Sequence, residues 1–162
     1  VDVVPHEVLL NIARRVERLG WHVVVYFEAV DLEDLLPFLR QLPTIVVVDH
    51  MGRPEVRLGV NCPDFCRFID LMSDHENFWT KVSCPERLTD EGAPYDDVVP
   101  YARLLVESFP DRVLWGTDWP HPNMKSHVPD EGVLVDVIPR IAVNEDLQKA
   151  LLVDNPTRLY WP

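Results

Sequence analysis

The chain has no apolar run approaching the roughly 20 residues that span a bilayer, which excludes a membrane-spanning helix as its organising element. Its start, Val1-Asp2-Val3-Val4-Pro5, carries neither a secretory leader nor an initiator Met, and the expectation is processing, a tag boundary or truncation. Low-complexity tracts and blocks of like charge are absent. Cations are scarce: 15 Lys and Arg stand against 27 Asp and Glu, a net charge of −12. Such a surface repels nucleic acid and anionic membranes, so neither is expected as a partner. An anionic ligand would need Arg or Lys placed locally against that field. The three cysteines are odd in number and do not form a disulfide framework; reduced thiols in a cytoplasmic protein are expected. Cys62 and Cys66 are expected on one helix face. No His or Cys pair has zinc-finger spacing.

What is present is a soluble-protein composition, 47% hydrophobic and 26% charged over 162 residues, enough for one domain with a sizeable core. One pattern repeats. Val8, Leu9, Ile12, Val16 and Leu19 share a helical face from His6 to Leu19, and Gly20 stops it. A strand follows from His22 to Phe27, and then a helix from Asp31 to Leu42 with Asp31 as N-cap and Pro37 kinking it or delaying its start. The next strand runs from Thr44 to Val48, followed by a helix from Pro63 to Ser73 with Pro in its first turn. A strand from Phe78 to Ser83, a helix from Asp96 to Phe109 and a strand from Arg112 to Thr117 come next. Helices over Glu131–Ile141 and Glu145–Val153 close the chain. Four Val/Ile-rich strands without strong polar alternation, separated by helices, predict parallel βα units covered on both faces. A doubly wound sheet could close with four or five strands. A full eight-stranded barrel needs about 250 residues, so in that architecture the chain would be roughly half, with two open edges.

The strand ends carry the chemistry. Val113-Leu114-Trp115-Gly116-Thr117-Asp118-Trp119-Pro120-His121 is an apolar strand that stops abruptly at a carboxylate. In parallel α/β proteins the carboxyl ends of the strands face the pocket mouth. The same rim receives Tyr26 and Glu28, then Asp49 and His50, then Ser83, Cys84 and Arg87, and finally Asp118, His121 and Asn123. A base, a polarising donor and an anion clamp form a hydrolytic toolkit. Plainer roles compete: Asp118 as a turn carboxylate, His50 as a satisfied loop histidine, Arg87 paired with Glu86 or Asp90, Tyr26 in the core. Glu28 and Asp49 read as structural, His6, His22, His75 and His127 as surface or packing residues, and Trp115 and Trp119 as walls.

Four segments carry a resemblance: Val47-Val48-Asp49-His50-Met51-Gly52-Arg53-Pro54, Cys84-Pro85-Glu86-Arg87-Leu88, Trp115 to Asn123, and Asn155-Pro156-Thr157-Arg158-Leu159-Tyr160. They resemble the 2-pyrone-4,6-dicarboxylate lactonase family of the amidohydrolase superfamily, whose members are distorted (β/α)8 barrels. The likeness extends through Gly20 to Ala29, and its most specific part is Trp115 to Asn123. It implies an α/β fold, the C-terminal half of a (β/α)8 barrel of about four βα units, with residues 1–162 a single amidohydrolase-type domain whose N-terminal strands are missing. It implies Asp118 as the base for the attacking water and His50 as hydrogen-bond partner of the lactone carbonyl. Arg87, Tyr26 and Asn123 would be ligands of the substrate. The implied reaction is hydrolysis of 2-pyrone-4,6-dicarboxylate to 4-oxalomesaconate, in bacterial breakdown of lignin-derived aromatics.

Two departures bear on these expectations. The His-x-His pair of the family's first strand does not occur here, and neither do the arginines near its fourth strand. Tyr26 stands near where zinc-binding relatives carry a strand-five histidine, leaving His50 and Asp118 as two ligands where a catalytic zinc usually takes three from protein. No cofactor and no metal are therefore expected, with a divalent metal such as zinc as the alternative. Other readings are a sugar-acid lactonase, a metal-dependent decarboxylase or hydratase, and a catalytically silent half-barrel that associates with a partner. The partners expected are a small anionic dicarboxylate lactone and either the missing N-terminal half or a second copy. Alone, the 162-residue chain is expected to be inactive or poorly folded.

Overall fold

The computed structural model describes residues 4–125 and 128–161. His127, expected as a surface or packing residue, lies outside them. Four strands, β1 (Val23–Val25), β2 (Val46–Val48), β3 (Phe78–Ser83) and β4 (Val113–Gly116), form one sheet in the order β1-β2-β3-β4. All three pairings are parallel, with Val25 opposite Val48, Val48 opposite Thr80, and Ser83 opposite Gly116. Parallel strands joined by helical crossovers must all end on one side. The register therefore brings the residues after Val25, Val48, Ser83 and Gly116 to a common rim.

Helices α1 (His6–Glu17), α2 (Leu32–Leu39), α3 (Pro63–Asp74) and α4 (Val99–Ser108) connect or flank these strands. Val46, Val48, Phe78, Val82 and Val113 point into the main core, where they meet Phe38, Phe65, Phe68, Leu71, Tyr101 and Leu105 from the helices. The opposite face holds only a small cluster of Val47, Trp79 and Leu114 under Leu159, and Val24 is half exposed. The expectation of a sheet covered on both faces thus holds for the helix side alone. A barrel resolves this physically, because its inner face is filled by strands from across the barrel rather than by helices.

Several boundaries differ from the sequence reading. Asp31 does not cap α2: it sits in a 3₁₀ turn (Ala29–Asp31) in helical conformation, and its side chain makes no capping bond. Helix Asp96–Phe109 begins instead at Val99, with Pro100 in its first turn. The stretch Glu131–Ile141 is two pieces, α5 (Glu131–Asp136) and α6 (Ile138–Ile141), parted where Pro139 removes a backbone donor. The last helix does not stop at Val153. It passes from α7 (Glu145–Lys149) through a π turn (Ala150–Asp154) into α8 (Asn155–Tyr160). Pro156 accounts for the wide turn, since its ring and missing N–H cannot be fitted into a continuous α ladder. Buried Asn155 then anchors α8 to the sheet, its Nδ2 donating to Pro110 O at 2.9 Å and Val113 O at 2.8 Å. Cys62 and Cys66 do not share an environment: Cys62 is the buried residue preceding α3, and Cys66 is exposed.

The loop after β2 requires glycine. Gly52 has φ +66°, and a Cβ there would lie 3.1 Å from the Phe27 ring. Gly52→Ala is expected to lower unfolding free energy by about 1–3 kcal/mol, from left-handed strain and the Phe27 contact. Urea denaturation checks it, and an unchanged midpoint would contradict this account of the turn.

Candidate active site

Each strand end turns sharply. His50 (φ 53°), Cys84 (φ 62°) and Asp118 (φ 76°) all adopt left-handed backbone directly after β2, β3 and β4. Non-glycine residues are uncommon there and cost free energy, and they cluster at functional sites. The turns fold the three side chains back over the rim toward one another. His50 Nε2 lies 3.5 Å from Asp118 Oδ1. The Cys84 thiol donates to Asp118 Oδ2 at 3.4 Å, and Arg87 Nη1 lies 3.7 Å from the same oxygen. His50 Nδ1 is 2.8 Å from Ser83 Oγ. With the hydroxyl donating to Nδ1, the imidazole proton sits on Nε2, on the side of Asp118 Oδ1.

Burial, the largest influence, holds the His50 pKa below its ordinary value of 6.5 against the opposing pull of Asp118 and Asp49, so the ring is neutral at neutral pH. Burial also pushes the Cys84 thiol well above its usual range, and Glu86 and Asp118 push the same way. Cys84 is therefore a thiol, a weak donor rather than a nucleophile. Burial opposes the Arg87 charge, but its acidic surroundings, the Asp118 carboxylate among them, more than offset this and raise its pKa.

Tyr26 is not core. It is half exposed at the rim, edge-on to the His50 ring at 6.1 Å, and its hydroxyl donates to Glu28 Oε1 at 3.2 Å. Asn123 is not gathered in: it lies exposed in the turn beyond His121 and makes no side-chain hydrogen bond among the described residues. Trp119 is 76% exposed and walls nothing among the described residues, whereas Trp115 packs against the core. Arg87 pairs with Asp118 and not with its neighbours, for Glu86 bonds His121 and Asp90 bonds Arg57. Asp49 is structural, with Lys81 Nζ 2.7 Å from its Oδ1.

Two features escaped the sequence reading. Arg53, also left-handed (φ 47°), donates from Nη1 to the Tyr26 hydroxyl at 3.3 Å. Beside it a cavity of about 410 Å³ is lined by Arg53, Arg57 and Arg87 together with Glu28 and Asp90, and Arg87 links it to the Asp118 cluster. The second feature is a triad centred on a buried histidine. His121 Nδ1 is 2.9 Å from Glu86 Oε1, and His121 Nε2 is 2.7 Å from Glu131 Oε1. Burial opposes charging of His121, but the hydrogen bonds to Glu131 and Glu86 outweigh it and raise its pKa.

Among the described residues two groups of donors come within 4.8 Å of one another and could meet a metal: His50, Cys84 and Asp118, and Glu86, Asp118 and His121. Neither suits a cation. The first has the Arg87 guanidinium 3.7 Å from its carboxylate, a like charge beside any cation placed there. In the second, both nitrogens of His121 are already engaged by carboxylates, so a cation would have to displace Glu86 or Glu131 from the ring.

Residues 2–161 match the amidohydrolase family. The chain belongs to that family. It is 59% identical over 170 aligned positions to a 2-pyrone-4,6-dicarbaxylate hydrolase of Comamonas testosteroni, covering 100% of this chain and 56% of that one. It is 40% identical over 145 positions to a 4-sulfomuconolactone hydrolase of Rhizobium radiobacter, covering 88% of this chain and 48% of the relative. A solved Pseudomonas putida protein named for 2-pyrone-4,6-dicarboxylic acid hydrolysis superposes with a TM-score of 0.76 at 30% identity, over 92% of this chain and 55% of that one. The chain spans about half the length of the curated relatives it matches. Its four parallel βα units superpose on about half of the solved Pseudomonas putida chain.

The two site histidines give stability opposite pH dependences. His50, with its pKa lowered, contributes above 6.5 and loses that contribution as pH falls. His121, with its pKa raised, contributes fully below 6.5 and loses that contribution as pH rises through its folded value. His121→Asn is expected to cost about 2–3 kcal/mol near pH 6, where it leaves buried Glu86 without its partner. The difference from the parent should shrink at alkaline pH. Urea unfolding at both pH values checks it, and a difference that grows with pH would be the wrong sign.

Proposed function

We propose that this chain supplies the hydrolytic rim of a lactonase that opens 2-pyrone-4,6-dicarboxylate to 4-oxalomesaconate. The observation that carries the reading is Asp118, whose carboxylate lies 3.5 Å from His50 Nε2 and 3.7 Å from Arg87 Nη1. The names of its relatives, hydrolases of a pyrone dicarboxylate and of a sulfomuconolactone, support an anionic cyclic ester as substrate. Asp118 takes a proton from water, which attacks the lactone carbonyl. Neutral His50, with its proton on Nε2, donates to the carbonyl oxygen as negative charge develops there. The C–O bond of the ring then breaks, leaving an enolate that is protonated to the ketone.

The cavity cations Arg53 and Arg87 are suited to the substrate carboxylates, which guanidinium groups bind in a bidentate fork. Tyr26, hydrogen-bonded to Arg53, joins that subsite. Among the described residues no helix is long and apolar enough to cross a membrane, and the three free thiols support a cytoplasmic setting. The poor fit of either donor group to a cation supports chemistry without a metal.

In the full natural chain carrying these residues, Asp118→Asn should lower kcat by about 10²–10⁴-fold with little change in substrate binding. Turnover within about tenfold of the parent, roughly 1.4 kcal/mol of barrier, would remove Asp118 from the role of base. Chelation should leave activity unchanged. Activity lost to a chelator and restored by zinc or manganese would overturn the metal-free reading.

A further inference from the structure

Beneath the rim, three loops meet at one side chain. His121 follows β4, Glu86 follows β3, and Glu131 opens α5. The His121 side chain is fully buried, and that of Glu86 nearly so. The second oxygen of Glu86, Oε2, is buried with no hydrogen-bond partner among the described residues, and a ring held between two carboxylates is an arrangement that favours protonation of His121. The backbone ties this clamp to the base directly: His121 N donates to Asp118 O at 2.8 Å, closing the turn in which Asp118 (φ 76°) and His121 (φ 57°) are both left-handed. One donor atom each of Glu86, Asp118 and His121 lies within 4.8 Å of the others.

We propose that His121, clamped between Glu86 and Glu131, is the positioning residue of Asp118: it fixes the turn that aims the carboxylate and sets a positive charge beside it. The inference rests on Asp118 acting as the base. Nothing in it requires His121 to touch substrate. The groups facing His121 are Glu86, with Tyr95 beyond it, then Glu131, and Asp118, which has Arg87 and Cys84 on its other side. An opposite charge at about 4–6 Å favours the ionised form of a carboxylate, and removing it shifts the titration upward.

The test is steady-state kinetics of the full natural chain on 2-pyrone-4,6-dicarboxylate, for the parent, His121→Gln, Glu131→Gln and Asp118→Asn. His121→Gln should lower kcat by about 10- to 100-fold through misplacement of the base, with KM within about threefold. The acid limb of its kcat profile should move up by about one pH unit, which simple loosening of the fold would not do. Glu131 is partly exposed, so Glu131→Gln should fold even where His121→Gln does not, and should lower kcat several-fold at unchanged KM. Parent-like kcat in Glu131→Gln, or an unmoved acid limb in a folded His121→Gln, overturns the proposal. Asp118→Asn separates the two failures. If that variant stays active, the assignment of the base has failed; if it is inactive while the His121 and Glu131 variants behave as the parent, the clamp alone has failed.

Discussion

A single carboxylate at the end of a buried strand is the constraint around which the rim is built. Asp118 is approached by an imidazole, a thiol and a guanidinium from the ends of two other strands. That convergence depends on parallel pairing, which puts every strand end on one side, and on left-handed residues that fold side chains back over it. Each such residue costs on the order of 1–3 kcal/mol. The cost is borne by the core beneath, where Val46, Val48 and Leu105 are completely buried and Met51 and Gly52 pack the β2 loop itself. The strain and the site therefore belong to one arrangement: relaxing the turns would aim the three side chains away from each other.

Electrostatics impose a second condition. A chain of net charge −12 repels anions, so any anionic ligand has to be recognised locally. The cavity beside the rim supplies this with Arg53, Arg57 and Arg87, of which Arg57 is largely neutralised by Glu55 and Asp90. Arg87 is partly neutralised by Asp118, and Arg53 lies 3.8 Å from Glu28. Bound carboxylates would compete with these acidic partners. On the proposed function, the same competition would loosen Asp118 from Arg87 when substrate arrives.

The strands, the common rim, and the placement of Asp118, His50 and Arg87 were legible because each depends on local pattern: Val/Ile runs, and polar residues where those runs stop. The failures have equally local reasons. Asp31 has the chemistry of a cap, but the preceding turn holds it in helical backbone, where its side chain makes no capping bond. The periodicity of Glu131–Ile141 conceals a break, because Pro139 interrupts the hydrogen-bond ladder without disturbing the apolar spacing. The Glu86–His121–Glu131 clamp was invisible for a different reason. Its members are 35 and 10 residues apart on three loops, and only the folded register of β3 and β4 joins them. Asn123 was singled out by its place in a motif, and motif position carries no information about where an exposed turn directs a side chain.

Cys84 tests the internal consistency of the hydrolytic reading. A cysteine beside a carboxylate and a histidine could suggest a covalent route through a thioester. The environment argues against it. A nucleophilic cysteine needs a thiolate, favoured by positive surroundings and exposure. Cys84 is buried, with Glu86 and Asp118 both disfavouring its ionisation more than Arg87 favours it. What remains for the thiol is to donate a weak hydrogen bond to Asp118 Oδ2, opposite the oxygen that faces His50. That bond and the Arg87 contact occupy one oxygen of the carboxylate and leave Oδ1 toward the imidazole. An asymmetrically held carboxylate beside a neutral donor is the arrangement that the proposed activation of water requires, and here residues at the strand ends supply it.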